Sequence, residues 1–297
     1  MKLSHIRDLV AVAELGGLRR AARHLGVAQP ALSRSIRDLE ADLGTMLFER
    51  GPTGMTLTPA GEAFARRGVA VQMELARARD ELRQLRGEGG GQVAIGLSTA
   101  AHVALLPRVL PPFLRRYPDA RLKISEGLFP ALEPELRLGA LDFYVGPLAE
   151  ERLGGEFLVE KLFDNYRVVL GRCGHPLADA TTLGELVDAR WVATSVTMIS
   201  AAELNPLFER RGLPAPTIVV QTQSALSMIT VAASTDLLAM LPRQWLGLEP
   251  IKTLLTHIPL DEVLPAPTIC TVSRARLPLT PVAQHLHDLF QRAGRNE

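Results

Sequence analysis

The chain has 297 residues, 47% of them hydrophobic and 22% charged, and a formal net charge of +1 at pH 7. This length suffices for two or more domains with a substantial core, and the composition is that of a globular rather than a disordered protein. Charged side chains interrupt the first 20 residues, and no run reaches the ~20 apolar residues of a membrane helix, so we expect a cytoplasmic protein without a membrane partner. Residues 1–90 carry 14 Lys and Arg against 11 Asp and Glu, an excess too small to indicate nucleic acid by itself.

Three helices are predicted at the start of the chain from apolar residues at helical spacing. The first runs from Leu3 to Gly16. The second begins after Gly17 and stops at Gly26, a residue that readily takes positive φ after a helix. The third begins near Pro30, which suits a first helical turn. Its apolar stripe consists of Leu32, Ile36, Leu39 and Leu43.

The third helix carries a polar face opposite this stripe. With Leu32 at zero on a helical wheel, Gln29, Ser33 and Arg37 fall at about 60°, 100° and 140°, and Arg34 at about 200°. Amide, hydroxyl and guanidinium groups are those that contact bases and phosphates in a major groove. The pattern favours a helix-turn-helix, although an ordinary antiparallel helix pair with a solvated face remains open. The candidate DNA-binding residues are Gln29, Pro30, Ser33, Arg34, Arg37 and Arg50.

A small wing is predicted next, with strands at residues 46–50 and 55–58 around a Gly-Pro-Thr-Gly turn. Arg50 lies at its edge and could reach a phosphate or the minor groove, or pair with a nearby acid. A long helix then starts with Thr58 as N-cap and Pro59 at the first helical position.

Apolar or small residues recur along this long helix at spacings of 4, 3, 4, 3, 4 and 3, beginning at Phe64 and passing through Gly68 and Ala78. Such a heptad seam is typical of two packed helices. We therefore expect a dimer contact, with packing on the helix's own domain as the alternative. The candidate dimerisation residues are Phe64, Val71, Leu75, Leu82 and Leu85. A glycine-rich stretch, residues 87–91, ends the helix and marks a domain boundary.

From Gln92 onward, strands and helices alternate. The predicted strands cover residues 93–97, 121–125, 141–145, 158–170, 191–194, 217–221 and 268–272, and the predicted helices cover 103–117, 132–138, 183–187, 201–211, 225–233 and 281–292. Repeated βα units imply a mostly parallel sheet with helices on both faces. Such sheets bind ligands beyond the carboxyl ends of their strands, where helix N-termini offer free N–H groups.

Hydroxyl side chains follow three of these strands and could together form an anion site, although each is also an ordinary N-cap. Phe129 could stack on an aromatic ligand or pack in the core. The candidate effector-binding residues are Ser98, Thr99, Phe129, Thr194, Ser195, Thr197 and Thr222.

Catalytic motifs are absent from the sequence, which contains no GxSxG, Walker loop, HExxH or strand-associated GxGxxG. The seven histidines form no ligand-like cluster, so we expect neither a metal nor a cofactor. Cys173 and Cys270, without CxxC spacing, favour buried structural thiols over a redox switch.

The segment AARHLGVAQPALSRSIRDLEADLGTMLFER followed by LTPAG resembles the amino-terminal signature of LysR-type transcriptional regulators, without gaps over residues 3–61. Two positions depart from that signature, because Gly17 and Ala28 stand where the family usually or often has Ser; the missing hydroxyls remove N-caps. LLPRVLPPFLRRYPDARLKISEG, LRLGALDFYVG and GRCGHPLAD resemble the family's effector domain, and IPLDEVLPAPTICTVSRARLPLTP is similar to regulators of aromatic-sulfonate or aromatic-acid breakdown.

This resemblance implies an α/β protein with a winged helix-turn-helix at residues 1–58, a dimerising linker helix at 59–88 and a two-lobed effector domain at 91–297, similar to periplasmic binding proteins. Lobe one would span about 91–161 and 268–297 and lobe two about 162–267, with crossovers near Glu160–Asp164 and Leu264–Thr268. The implied function is regulation of transcription by a dimer or tetramer that binds an imperfect inverted repeat in double-stranded DNA. A small anionic effector, either aromatic or non-aromatic, would alter DNA bending or spacing to recruit RNA polymerase. A two-lobed solute-binding protein without regulatory DNA binding is the alternative.

Overall fold

A computed structural model describes residues 1–51, 54–88, 90–148, 153–194, 204–222 and 224–297. Two compact units divide the chain. The first contains Met1–Glu88 and Arg137–Ala140, and the second contains Gly89–Leu136 and Leu141–Glu297.

The first unit packs three short helices around one apolar core. They are α1 (Leu3–Leu15), α2 (Leu18–Leu25) and α3 (Gln29–Leu43). The apolar stripe predicted for α3 is confirmed at Leu32, Ile36 and Leu39, all of which are buried against α1 and α2. Burial of these side chains holds α3 with its opposite face outward.

A two-stranded wing and a long helix complete this unit. β1 (Phe48–Gly51) and β2 (Gly54–Leu57) pair antiparallel, with Phe48 opposite Leu57. α4 (Pro59–Leu85) begins as predicted, because the Thr58 hydroxyl accepts a hydrogen bond from the Gly61 N–H at 2.9 Å. The same hydroxyl donates to the Met46 carbonyl at 2.8 Å, so the cap also ties α4 to the start of the wing.

The second unit is built on a mixed sheet of nine described strands. They are β3 (Gln92–Leu97), β4 (Arg121–Glu126), β5 (Phe143–Pro147), β6 (Phe157–Arg172), β7 (Arg190–Thr194), β8 (Thr217–Thr222), β9 (Leu237–Pro242), β10 (Leu255–Ile258) and β11 (Leu264–Arg274). Their order is β4-β3-β5-β11-β6-β9-β7-β8, and β10 pairs with β6 outside this path.

Parallel pairing is confined to the two outer parts of the sheet, β4-β3-β5 and β9-β7-β8. The central strands β6 and β11 pair antiparallel with each other and with their neighbours. The prediction of a mostly parallel sheet is therefore correct only at its two ends. The β6–β11 register shifts between Ala266 and Ile269, and there the two long strands pass from one half of the unit to the other.

The described α-helices of this unit pack on the outer parts of the sheet, and two 3-10 helices, Leu183–Leu186 and Arg243–Gly247, lie between them in the chain. The α-helices are α5 (Thr99–Arg116), α6 (Phe129–Leu138), α7 (Asn205–Glu209), α8 (Ala225–Ser234), α9 (Glu249–Leu254) and α10 (Pro281–Gly294). One apolar core lies between α5, α10 and the β4-β3-β5 strands, and another lies between α8, α9 and the β9-β7-β8 strands. Each half of the unit thus has a core of its own.

Candidate functional site

The turn between α2 and α3 spans Gly26, Val27 and Ala28. Gly26 has a φ of 67°, in the left-handed region that favours glycine, and its N–H bonds to carbonyls of the last turn of α2. The Val27 N–H bonds to the Ala22 carbonyl at 3.0 Å, which closes the end of α2. The turn therefore has the length and cap of a helix-turn-helix.

Five residues of α3 are predicted to contact DNA, and four of them are exposed on its outward face. Gln29, Pro30, Arg34 and Arg37 are exposed, and Ser33 is half-buried. Neither Arg34 nor Arg37 forms an ion pair with a residue that the structure describes. An exposed helical row with an amide, a hydroxyl and two uncommitted guanidinium groups is suited to a major groove.

Two buried carboxylates hold α3 in place, and the sequence pattern did not reveal them. Asp8 on α1 accepts a hydrogen bond from the Ser35 hydroxyl at 2.6 Å and also pairs with Arg7. Glu40 on α3 accepts from the backbone N–H groups of Leu47 and Phe48 at 2.8 and 3.2 Å. These bonds fix α3 relative to α1 on one side and to the wing on the other.

Neither α2 nor α3 has a side-chain N-cap. Gly17 and Ala28 occupy the two cap positions, and no side-chain hydrogen bond forms at either. This agrees with the expectation that the missing Ser hydroxyls remove caps.

Arg50 belongs to β1, where its backbone pairs with Met55, and its side chain lies outside the described part of the structure.

The seam predicted on α4 divides into two parts. Phe64 packs half-buried against the core of its own unit, and Gly68 lies against Ile6 and Val10. This part of the seam shows the packing on the helix's own domain that was the stated alternative, and the dimer contact stays a prediction. Farther along α4, Leu75 is half-buried. Three apolar side chains there are exposed to solvent: Val71 by 42%, Leu82 by 53% and Leu85 by 69%.

In the second unit, a cavity of about 470 Å³ lies where the carboxyl ends of β3, β4, β8 and β9 meet the middle of β6. It is lined from one half of the unit by the start of α5 and from the other by the start of α8. Ser98 caps α5 and accepts from the Ala101 N–H at 3.2 Å, and Ser224 caps α8 and accepts from the Ser227 N–H at 3.3 Å.

Each of these helix starts offers two further backbone N–H groups. Thr99 and Ala100 open α5, and Ala225 and Leu226 open α8. The first amides of a helix have no intrahelical acceptor, and the helix dipole adds positive potential there. All four residues line the cavity, so two helix N-termini converge on one space.

The predicted effector-binding residues are only partly brought together. Ser98 and Thr99 line the cavity. The Thr222 hydroxyl accepts from the Ser224 N–H at 3.1 Å and supports the start of α8 rather than lining the cavity. Phe129 is buried in a core with Tyr144 and Phe157, which corresponds to the packing alternative and not to ligand stacking. Thr194 ends β7 with an undescribed side chain, and Ser195 and Thr197 lie outside the described residues.

Polar residues that the sequence analysis missed also line the cavity. Asn165 and Arg167 lie on the same side of β6, and Glu126 ends β4. Their signal in the sequence is weak, because polar residues at alternate positions of a strand ordinarily face water. The tertiary arrangement of the two halves brings them to the cavity.

The two cysteines differ in environment. Cys270 is buried, as expected, and this burial raises the pKa of its thiol. Cys173 is exposed, so the expectation of a buried thiol is wrong there; its Sγ–H donates to the Thr253 carbonyl at 3.5 Å.

Within the described ranges, no three His, Cys, Asp or Glu side chains are grouped as metal ligands, and no helix is long and apolar enough to span a membrane.

Known proteins match both units. Residues 3–62 match the model of the bacterial regulatory helix-turn-helix protein, lysR family, and residues 86–295 match that of the LysR substrate binding domain. The transcriptional regulator TdcA of Escherichia coli is 28% identical, covering 89% of this chain and 84% of TdcA. The regulator GbpR of Azospirillum brasilense is 30% identical, covering 80% of this chain and 70% of GbpR.

A solved structure shares the fold over the whole chain. Full-length CbnR in complex with its target DNA has a TM-score of 0.74 and 19% identity, covering 99% of this chain and 100% of CbnR. The protein is therefore a DNA-binding transcriptional regulator with an effector-binding domain, and neither an enzyme nor a solute-binding protein. The exposed face of α3 and the cavity of the second unit belong to a member of the LysR family of bacterial transcriptional regulators.

Proposed function

We propose that this regulator binds an imperfect inverted repeat through α3 and that an anionic effector in the cavity of the second unit controls its activity. The observation that carries the effector assignment is the convergence of two helix N-termini and Arg167 on one cavity. Each terminus stabilises an anion by roughly 0.3–1 kcal/mol, and a guanidinium can bind a carboxylate or sulfonate with two hydrogen bonds.

For DNA, we propose that Arg34 and Gln29 contact bases while Ser33, Arg37, Pro30 and Arg50 contact the backbone. Arg34 projects almost directly away from the buried Leu32 and Ile36. The exposed Arg19, Arg23 and His24 of α2 would add phosphate contacts, because the first helix of such a motif crosses the DNA backbone.

In the proposed domain division, residues 1–58 bind DNA, 59–88 link and dimerise, and 91–297 bind the effector. A dimer, or a tetramer as a pair of dimers, would place two α3 helices at two half-sites. We further propose that effector binding changes DNA bending and thereby recruits RNA polymerase.

Arg34→Ala is expected to weaken specific DNA binding by about 1–3 kcal/mol, because a bidentate contact to a guanine edge would be lost. Fluorescence anisotropy with DNA from upstream of the protein's own gene, at fixed salt, measures this change. Arg79→Ala removes the same charge from an exposed position of α4 and should have little effect. Equal losses in the two variants would assign Arg34 a general electrostatic role, and unchanged binding by Arg34→Ala would exclude a base contact.

Small carboxylates or sulfonates are expected to raise the melting temperature of the full-length protein, since a ligand that binds only the folded state stabilises it. Thr99→Val should reduce this rise while leaving the unliganded melting temperature nearly unchanged, because Thr99 is half-buried at the cavity. Thermal unfolding across a panel of such anions, amines and neutral sugars measures the effect. A rise with amines or sugars but with no anion would contradict an anion site.

A further inference from the structure

The cavity contains acceptors as well as donors, and an anion alone would leave the buried Asn165 Oδ1 without a partner. Asn165 is only 3% exposed, and its side-chain Oδ1 has no hydrogen-bond partner in the structure. The Glu126 carboxylate is exposed and forms no ion pair with another described residue. Both residues line the cavity.

A buried, unpaired carbonyl oxygen is unfavourable, because it has lost its hydrogen bonds to water without gaining others. A ligand that donates a hydrogen bond to Asn165 Oδ1 removes this deficit. A ligand that carries only negative charge cannot do so, and it is also repelled by the Glu126 carboxylate. The acceptor pair therefore selects a ligand with a positively charged or donating group.

The remaining lining is aliphatic. Among the described residues, the cavity is lined by no aromatic side chain, and its apolar members include Leu128, Pro147, Met240, Leu241 and Leu226. Leu226 is 72% exposed in the first turn of α8. An aliphatic group in the cavity would cover this side chain and remove apolar surface from water.

Given the effector site proposed above, on which this assignment rests, we propose that its ligand is an α-amino acid with an aliphatic side chain. The carboxylate binds Arg167 and the amides that open α5 and α8. The ammonium group donates to Asn165 Oδ1 and pairs with Glu126. The aliphatic side chain lies against Leu226 and Met240.

The test uses the full-length protein and three matched sets of probes in isothermal titration. The first set contains alanine, valine, leucine, isoleucine and methionine; the second contains the corresponding carboxylates without the amino group; the third contains the corresponding amines without the carboxylate. At least one amino acid should bind, and both of its truncated analogues should bind at least about tenfold more weakly, because the carboxylate alone offers no donor to Asn165 Oδ1 and the amine alone offers no anion to the two helix N-termini.

Two variants separate the roles of the acceptors. Glu126→Gln and Asn165→Leu should each weaken amino-acid binding about tenfold or more while leaving binding of the matched carboxylate unchanged or tighter. Glu209→Gln removes an exposed carboxylate that does not line the cavity and should change neither affinity.

The outcomes distinguish this ligand class from the anion site itself. If carboxylates bind as tightly as the amino acids and Glu126→Gln has no effect, the amino-acid assignment is wrong and the anionic effector stands. If amines alone bind, both assignments are wrong. If none of the amino acids binds, the amino-acid assignment is overturned, and the wider anion panel decides the anion site independently.

Discussion

Leu82→Asp is expected to dissociate the protein into smaller species and to abolish tight binding to a two-half-site operator. Leu82 is 53% exposed on α4 and continues an apolar stripe from Val71 to Leu85. If this stripe packs against the same stripe of a second copy, the substitution buries an uncompensated carboxylate in the interface. Burial of an uncompensated charge costs about 3–5 kcal/mol, which corresponds to roughly a 10²–10³-fold weaker dimer.

Met73→Asp is the matched control for this experiment. Met73 is also exposed, by 40%, but it points about 180° away from Leu82 and about 120° or more away from the rest of the stripe on the same helix. Light scattering and operator affinity should therefore remain unchanged in Met73→Asp and in the conservative Leu82→Met. Leu82 is a better position for this test than the half-buried Leu75, because replacing an exposed side chain removes few contacts within one chain.

Three results would contradict the dimer contact. A Leu82→Asp protein that keeps both its mass and its operator affinity would show that the stripe is not buried in the assembly. Equal loss of mass in Met73→Asp would indicate a general sensitivity of α4 to charge. Loss of operator affinity without loss of mass would place Leu82 near DNA or in a tetramer contact instead.

The helices of the first unit could be predicted from the sequence because their signals are local. Glycines end α1, α2 and α3, Thr58 and Pro59 begin α4, and buried side chains recur at helical spacing. The division of the α4 seam was not predictable. Its periodicity continues from Phe64 to Leu85, and only the packing of α1 on Gly68 shows where one chain's own core ends.

Much of the second unit depends on contacts far apart in the sequence. β9 was missed because all six of its residues are buried, and an apolar run without alternation does not distinguish a strand from a buried helix. β10 and α9 are short and carry little periodicity. The helix caps at Ser98 and Ser224 were local signals, whereas Asn165 and Arg167 became cavity residues only because the central strand β6 passes between the two halves.

Gly61→Ala is expected to open the wing and weaken DNA binding, although alanine is normally the better helix former. A Cβ atom at Gly61 would overlap the carbonyl oxygen of Leu47. That oxygen accepts the Thr58 N–H at 3.0 Å, and the Leu47 N–H donates to Glu40 at 2.8 Å. The Leu47 backbone is held by hydrogen bonds at both its N–H and its carbonyl. A Cβ at Gly61 can therefore be accommodated only if this backbone moves and these bonds lengthen.

The expected cost combines overpacking of about 1–3 kcal/mol with the loss of at least one hydrogen bond of about 1 kcal/mol. Hydrogen–deuterium exchange of the full-length protein measures this locally. Amides of residues 46–57 should exchange roughly 10–10³ times faster, since each 1.4 kcal/mol is a factor of ten when exchange follows local opening.

Gly68→Ala is the control, because it makes the same chemical change in the same helix. It brings the same gain in helix propensity, of about 1 kcal/mol, and the same loss of unfolded-chain entropy. Its Cβ would lie 3.0 Å from Cγ2 of Ile6, a side chain that can shift by a few tenths of an ångström. Gly68→Ala should therefore leave exchange in the wing unchanged. If the two variants exchange alike at residues 46–57, the Leu47 carbonyl does not constrain the wing, and the contact at Gly61 is accommodated by movement of α4.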